Sequence, residues 1–274
     1  MKHDYSLAHL TALHLSPPEL VEAAASGGYR YVGLRLTRVA ADDPFYPLAT
    51  DAALMRATKA RLADTGVEVL DIELARLDPE TAPESLQRIL EAGAELGARH
   101  VIGQLPDPIR ERKAARFAVL CDLAKPLGLT VELEFPSWTE TSNLAEATEV
   151  LKAVHRPNAG ILIDLLHFAR SRSSVEELRK LPRSWFRFAH VCDAPAEIPS
   201  TTESLVHTAR AERLFPGEGG IDVRGILAAL PRDIPYALEI PRVTLSALVG
   251  EKENARLAIM AARRHLEALV EPGQ

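Results

Sequence analysis

Short apolar runs rich in Val, Ile and Leu alternate along the chain with longer stretches in which apolar residues recur at helical spacing. The runs near Tyr5–Leu10, Tyr31–Leu36, Val67–Leu74, His100–Gln104, Thr130–Phe135, Gly160–Asp164, Phe186–Cys192 and Tyr236–Ile240 predict strands. The stretches near Pro17–Ala25, Asp51–Thr65, Pro79–Leu96, Pro108–Leu127, Leu144–His155, Ser174–Lys180, Asp222–Leu230 and Glu251–Leu269 predict helices. Their boundaries follow helix chemistry. Ser16-Pro17-Pro18-Glu19 supplies an N-cap, prolines suited to a first turn and an early acid. Gly27-Gly28, Gly66, Gly97 and Gly128 fall where a left-handed C-cap must pass the chain to the next strand.

Eight such units share 274 residues, about 34 each, which is the length of a βαβ repeat. Parallel strands must be covered on both faces, and eight of them can achieve this by closing into a barrel ringed by helices. The rival is an open doubly wound sheet, which usually carries a glycine-rich phosphate turn after its first strand. Here that strand runs into Thr11-Ala12-Leu13-His14 instead. No Pro/Gly/Ser-rich linker divides the chain, so one (β/α)8 TIM-barrel domain over residues 1–274 is expected. The least regular stretch, Asp193–Gly220, is expected to be a 28-residue loop acting as a lid.

Composition narrows the function. Hydrophobic residues make up 47% and charged residues 26%, as in ordinary globular domains. The net charge of −6 argues against a nucleic-acid partner. No run reaches the roughly 18 apolar residues of a membrane span. The N-terminus has no signal-peptide pattern, and Cys121 and Cys192 make no disulfide framework, so a cytoplasmic location is expected.

Catalytic groups of a barrel project from the C-terminal ends of its strands. The fifth to eighth strands finish in Glu134, Asp164, His190 and Glu239, each after an apolar residue. Alone, each reads as a rim or core residue. Together, three carboxylates and an imidazole repel unless a cation sits among them. Such an oxygen-rich set suits one divalent ion such as Mn²⁺, Mg²⁺, Co²⁺ or Zn²⁺.

Four motifs bearing these residues, VELEFP, GILIDLLH, FAHVCD and YALEIP, stand in this order with RLFPGEGGID between the last two. In that arrangement the chain resembles the xylose-isomerase-like TIM-barrel superfamily, the sugar phosphate isomerases and epimerases. The resemblance implies that Glu134, Asp164, His190 and Glu239 hold the metal. It implies a metal-stabilised enediolate, with Glu134 and Glu239 moving the proton and His167 touching the substrate. The expected activity is isomerisation or epimerisation of a sugar or related hydroxy-ketone. The alternative is a dehydratase of a dehydroshikimate- or inosose-like ring, in which the same proton abstraction is followed by loss of a β-hydroxyl. A DNA-repair endonuclease of the same superfamily is disfavoured by the charge and the absence of extra histidines. A barrel that binds a ligand without turnover is the non-enzyme reading. Family members are often dimers or tetramers, which leaves room for a homo-oligomer.

Several residues stay open between two roles. His9, Arg35, Glu73 and Gln104 lie near the ends of the first four strands, where they either reach the substrate or serve the rim. Arg35 and Arg213, if they face the mouth, suit an anionic substrate. Trp138 either covers an apolar edge of the substrate or packs on the rim, and His167 either binds substrate or caps a loop. Asp193 either orients His190 or is a solvated loop carboxylate.

Overall fold

Every pairing between strands is parallel in the computed structural model, which describes residues 3–267. The strands are β1 (Tyr5–Leu7), β2 (Tyr31–Arg35), β3 (Glu68–Arg76), β4 (His100–Gln104), β5 (Thr130–Leu133), β6 (Ala159–Ile161), β7 (Ile163–Asp164), β8 (Ala189–Val191) and β9 (Tyr236–Leu238). They follow the order β6-β5-β4-β3-β2-β1-β9-β8-β7. The two ends of that order are consecutive pieces of one strand, interrupted at Leu162. The sheet therefore closes on itself, and the Leu162 N–H bridges the break by donating to the Leu133 carbonyl at 3.0 Å. The expected sixth strand is thus present as two pieces, and the fold is the TIM barrel that the alternation predicts.

The helices between strands are α1 (Pro17–Gly27), α2 (Ala52–Thr65), α3 (Gln87–Glu95), α4 (Arg110–Ala124), α5 (Leu144–Val154), α6 (Leu165–Arg170), α7 (Val175–Lys180), α8 (Thr202–Ala211), α9 (Val223–Leu227), α10 (Val243–Val249) and α11 (Glu251–Glu267). The start of α1 is closed by Glu19, whose carboxylate accepts from the Ser16 N–H at 2.9 Å. The helix expected over Pro79–Leu96 begins as a tight 3-10 turn at Pro83–Leu86 and becomes α3 only after it. The expected end of the last helix, Leu269, lies outside the described residues.

The stretch Asp193–Gly220 is not a bare loop. Its middle forms α8, whose N-cap Thr201 accepts from the Ser204 N–H at 3.2 Å. Its two arms meet in the Asp193–Leu214 bridge. The prolines and glycines that suggested a loop flank this helix rather than occupy it.

Two apolar shells hold the barrel. The larger one lies between strands and helices, and the smaller one, Tyr31, Leu70, Leu74, Ile102, Leu162, Phe188 and Ala237, fills the interior. Below this inner layer, near the N-terminal ends of the strands, sits a buried polar cluster. The Glu132 carboxylate accepts from Arg187 Nη1 at 2.9 Å and from the Thr130 hydroxyl at 2.7 Å. His100 Nδ1 lies 2.7 Å from the same hydroxyl. Gly160 is required here, because a Cβ would overlap Glu132 and Arg187.

Candidate active site

Each of the four strand-end residues enters the mouth from its own strand or just beyond it. Asp164 ends β7, His190 is in β8, and Glu134 and Glu239 immediately follow β5 and β9. All four are buried, and one ligand atom from each lies within 4.8 Å of every other. His190 Nδ1 stands 3.3 Å from Glu239, 3.6 Å from Asp164 and 3.7 Å from Glu134. Neither nitrogen of this ring has a hydrogen-bond partner among the described residues.

Local structure fixes each group. Asp164 also caps α6, its Oδ1 accepting from the His167 N–H at 3.0 Å, so one carboxylate sets both the strand end and the next helical turn. Gln104 donates to Glu134 Oε2 at 2.6 Å. The backbone around Glu239 is clamped. The Thr11 hydroxyl donates to the Leu238 carbonyl at 2.7 Å and accepts from the Ile240 N–H at 2.8 Å. The Asn254 amide then donates to the carbonyls of Thr11 and Ile240 at 3.0 and 3.2 Å.

Arg213 spans two members of the cluster, with Nη1 2.7 Å from Asp164 Oδ2 and Nη2 2.7 Å from Glu239 Oε2. Its Nε donates to the Ala209 carbonyl at 2.8 Å, at the end of α8. Three buried carboxylates face one guanidinium and one imidazole, which Glu239, Asp164 and Glu134 hold in its charged form, so with all three acids ionised the site has at most two cations for three anions. Burial, with Glu239 and Asp164 close by, pushes Glu134 up to about 8. Burial also opposes the charge on Asp164, but Arg213, His167 and His190 outweigh it and hold that carboxyl well below the usual range. For Glu239 the burial cost is overcome by His190 and Arg213, which bring it to about 2. The donor set and the unpartnered imidazole fit a divalent cation.

A cavity of about 260 Å³ opens above the cluster. Its lining includes Gln104, Glu134, His190, Arg213 and Glu239, and also His167 and Trp138, whose ring meets His167 edge-on with centroids 5.0 Å apart. Burial lowers His167 to about 4, which keeps it neutral, and its Nδ1 has no partner. Arg35 lines the cavity rather than facing outward, and it pairs there with Glu73.

Two residues sit elsewhere than the strand ends suggest. His9 does not line the cavity; its Nδ1 accepts from the Arg35 N–H at 3.0 Å and its Nε2 lies 3.0 Å from the Leu15 carbonyl, so backbone occupies both nitrogens. Asp193 does not touch His190. Its carboxylate accepts four backbone N–H groups, from Ala194, Gly217, Gly219 and Ile221 at 2.8–3.0 Å, and so shapes the PGEGG turn. Among residues that strand-end reasoning passed over, Asp43 on the loop after β2 bonds Arg210 of α8 at 2.7 and 2.8 Å. Asp71 lies fully buried in the barrel with neither carboxylate oxygen partnered. No pattern marks these two, because each is defined by a neighbour far away in the chain.

A family model for the xylose isomerase-like TIM barrel matches residues 21–268. The chain belongs to this family. An inosose isomerase of Bacillus velezensis is 26% identical over 193 residues, 66% of each chain. A 3-dehydroshikimate dehydratase of Pseudomonas aeruginosa is 27% identical over 110 residues, covering 40% of this chain and 17% of that one. The chain thus matches just under two thirds of the first of these relatives and a small part of the second. A solved structure described as the IOLI protein with a binding zinc atom superposes with a TM-score of 0.78 at 19% identity, over 98% of this chain and 100% of that one. At that identity the likeness shows the fold. No described helix is long and apolar enough to cross a membrane.

Proposed function

We propose that this chain is a divalent-metal-dependent isomerase or epimerase of a polyhydroxylated ketone, with an inosose-type ring as the favoured substrate class. The observation that carries this reading is the converging set of Glu134, Asp164, His190 and Glu239, three of which line the cavity, with three carboxylates for at most two cations. The inosose isomerase relative and the zinc-bound neighbour support it.

Glu134, Asp164, His190 and Glu239 would hold the ion. When bound, a divalent ion there supplies Lewis-acid polarisation of the substrate's carbonyl and adjacent hydroxyl oxygens. The rest is done by side chains. Arg213 and His190 both approach Glu239 Oε2, leaving Oε1 to take or give a proton. Gln104 holds Glu134 Oε2, so Oε1, which faces His190 Nδ1 at 3.7 Å without a hydrogen bond, is the oxygen for the same work from the other strand end. One glutamate removes the proton next to the carbonyl and the other returns it, giving the epimer, or the isomer when the proton goes to the neighbouring carbon. His167 Nδ1 is placed to bond a substrate hydroxyl, and Trp138 covers the mouth beside it. A cytoplasmic enzyme acting on small molecules is the expected setting.

The dehydratase relative favours a second reading, in which the same first step is followed by loss of water. Incubating the metal-loaded protein in D₂O with an inosose and, separately, with 3-dehydroshikimate tests both. Deuterium incorporation into the inosose without dehydration supports the isomerase or epimerase. Dehydration of 3-dehydroshikimate supports the lyase, and no exchange into either ketone contradicts both.

A further inference from the structure

Beside the metal cluster, β2 and β3 place a second polar pair in the same cavity. Arg35 and Glu73 are register partners across the two strands, 7% and 3% exposed, and both line the cavity. The pairing is lopsided. Arg35 Nε and Nη2 both bond Glu73 Oε2, at 3.1 and 2.8 Å. That leaves Arg35 Nη1 and Glu73 Oε1 buried and without a hydrogen-bond partner among the described residues. Asp43 Oδ2 stands 3.7 Å from Nη1, too far for a hydrogen bond, and Asp43 is already bonded to Arg210. Such unmade bonds are costly in a protein interior, so a buried donor beside a buried acceptor on a cavity wall marks a place where a ligand completes them.

The charges restrict which ligand. Arg35, Glu73, Asp43 and Arg210 form a network of two cations and two anions that sums to zero. A substrate carboxylate here gains no net attraction and meets the open oxygen of Glu73. A hydroxyl donates and accepts at once, so one hydroxyl, or two on adjacent carbons, satisfies both atoms. Of the other arginines lining the cavity, Arg213 is taken up by Asp164 and Glu239 and Arg210 by Asp43, while Arg76 is exposed. Arg35 and Arg213, the two that suggest an anionic substrate in the sequence, both have carboxylate partners.

We infer that Arg35 and Glu73 form a hydroxyl-reading subsite that selects neutral polyhydroxylated ketones and rejects carboxylated ones. The inference rests on the reading of the cavity as the isomerase or epimerase site, and it names which part of the substrate the second pair grips.

The test measures binding rather than turnover. The metal-loaded protein is titrated calorimetrically with an inosose and with 3-dehydroshikimate. The wild type is expected to bind the inosose at least tenfold more tightly. Glu73→Gln removes the charge balance and replaces an ionised acceptor, so inosose binding falls about tenfold or more. The dehydroshikimate carboxylate, now facing an uncompensated Arg35, is bound more tightly, and the preference narrows or reverses. Metal content and melting temperature are recorded for each protein. If Glu73→Gln folds poorly, the double variant Arg35→Gln/Glu73→Gln removes both charges together and is expected to keep the neutral preference while binding the inosose more weakly. Equal or tighter binding of the carboxylated ketone by wild type overturns the subsite. So does an unchanged preference in Glu73→Gln, or no binding of the inosose by wild type. If the binding preference responds as expected but no proton exchange occurs, the catalytic reading fails and the subsite stands. Exchange in wild type with a preference indifferent to Glu73 gives the converse.

Discussion

Strand β5 points two buried glutamates into the barrel, one at Glu132 and one just past its end at Glu134, and their surroundings are opposite. At the base, Glu132 meets one cation, Arg187, and one hydroxyl, Thr130, both through Oε1, so a cation of the same chain faces its charge although burial still pushes the group up and Oε2 has no partner among the described residues. At the mouth, Glu134 meets Asp164 and Glu239 across His190, with the single guanidinium of Arg213 on the far side of the cluster. A buried carboxylate needs a compensating partner in either place. The base supplies that partner from the chain, and the mouth leaves room for one from outside. What separates the two ends is number: three converging carboxylates share at most two cations at the mouth, while one carboxylate has one cation at the base.

The comparison breaks most visibly in catalysis. Glu134→Gln and Glu239→Gln at the mouth are expected to lower deuterium exchange into the substrate by about 10²–10⁴-fold, the usual worth of a positioned acid or base. Arg187→Met at the base is expected to leave the exchange rate within a few-fold of wild type. Full exchange in either glutamine variant would contradict the assignment. The stability effects run the other way. Removing Arg187 strands the Glu132 charge in the interior and is expected to cost about 3 kcal/mol in denaturant unfolding.

Both ends carry neutral imidazoles, and these predict a pH dependence. Burial lowers His9 to about 4 and His100 to about 3. Below the ordinary histidine value of roughly 6.5, the unfolded chain binds protons that the folded chain refuses. Stability is therefore fully present above about pH 6.5 and is lost as pH falls toward 4, by up to about 3 kcal/mol for each group. Glu134, held up at about 8, works in the opposite direction over the same range, so the histidine contribution is read as the slope of urea midpoint against pH in wild type minus that in His9→Asn and in His100→Asn, and that difference is expected to be positive. No difference in slope would mean that the rings become charged within the fold. The smallest effect belongs to the clamp behind Glu239. Thr11→Val removes the hydroxyl that holds both sides of that residue, and kcat is expected to drop a few-fold with KM little changed. An unaltered kcat would reduce the clamp to a packing feature.

The barrel was legible because its period is local: apolar runs, helix caps and C-terminal glycines repeat about every 34 residues. The four cluster residues were legible because each follows an apolar residue at a strand end, and closure of the barrel brings such ends together. What escaped was pairwise. Whether Arg35 and Arg213 offered free charge depended on Glu73, Asp164 and Glu239 lying against them, and no spacing along the chain encodes that. Asp193 looked like a partner for His190 because it stands three residues away, yet the strand carries it past the ring to the turn at Gly217–Ile221. Helix α8 was hidden between flanking prolines and glycines, although Thr201 begins it with an ordinary N-cap.

The central claim is that the mouth completes its charge with a bound ion and the base does not. Elemental analysis after dialysis against a divalent metal, run in parallel on wild type, Asp164→Asn, His190→Ala and Arg187→Met, addresses it directly. The account predicts about one ion per chain in wild type and Arg187→Met, and loss of that ion in both mouth variants. Metal-free wild type, or an ion retained after His190→Ala and Asp164→Asn, would contradict it.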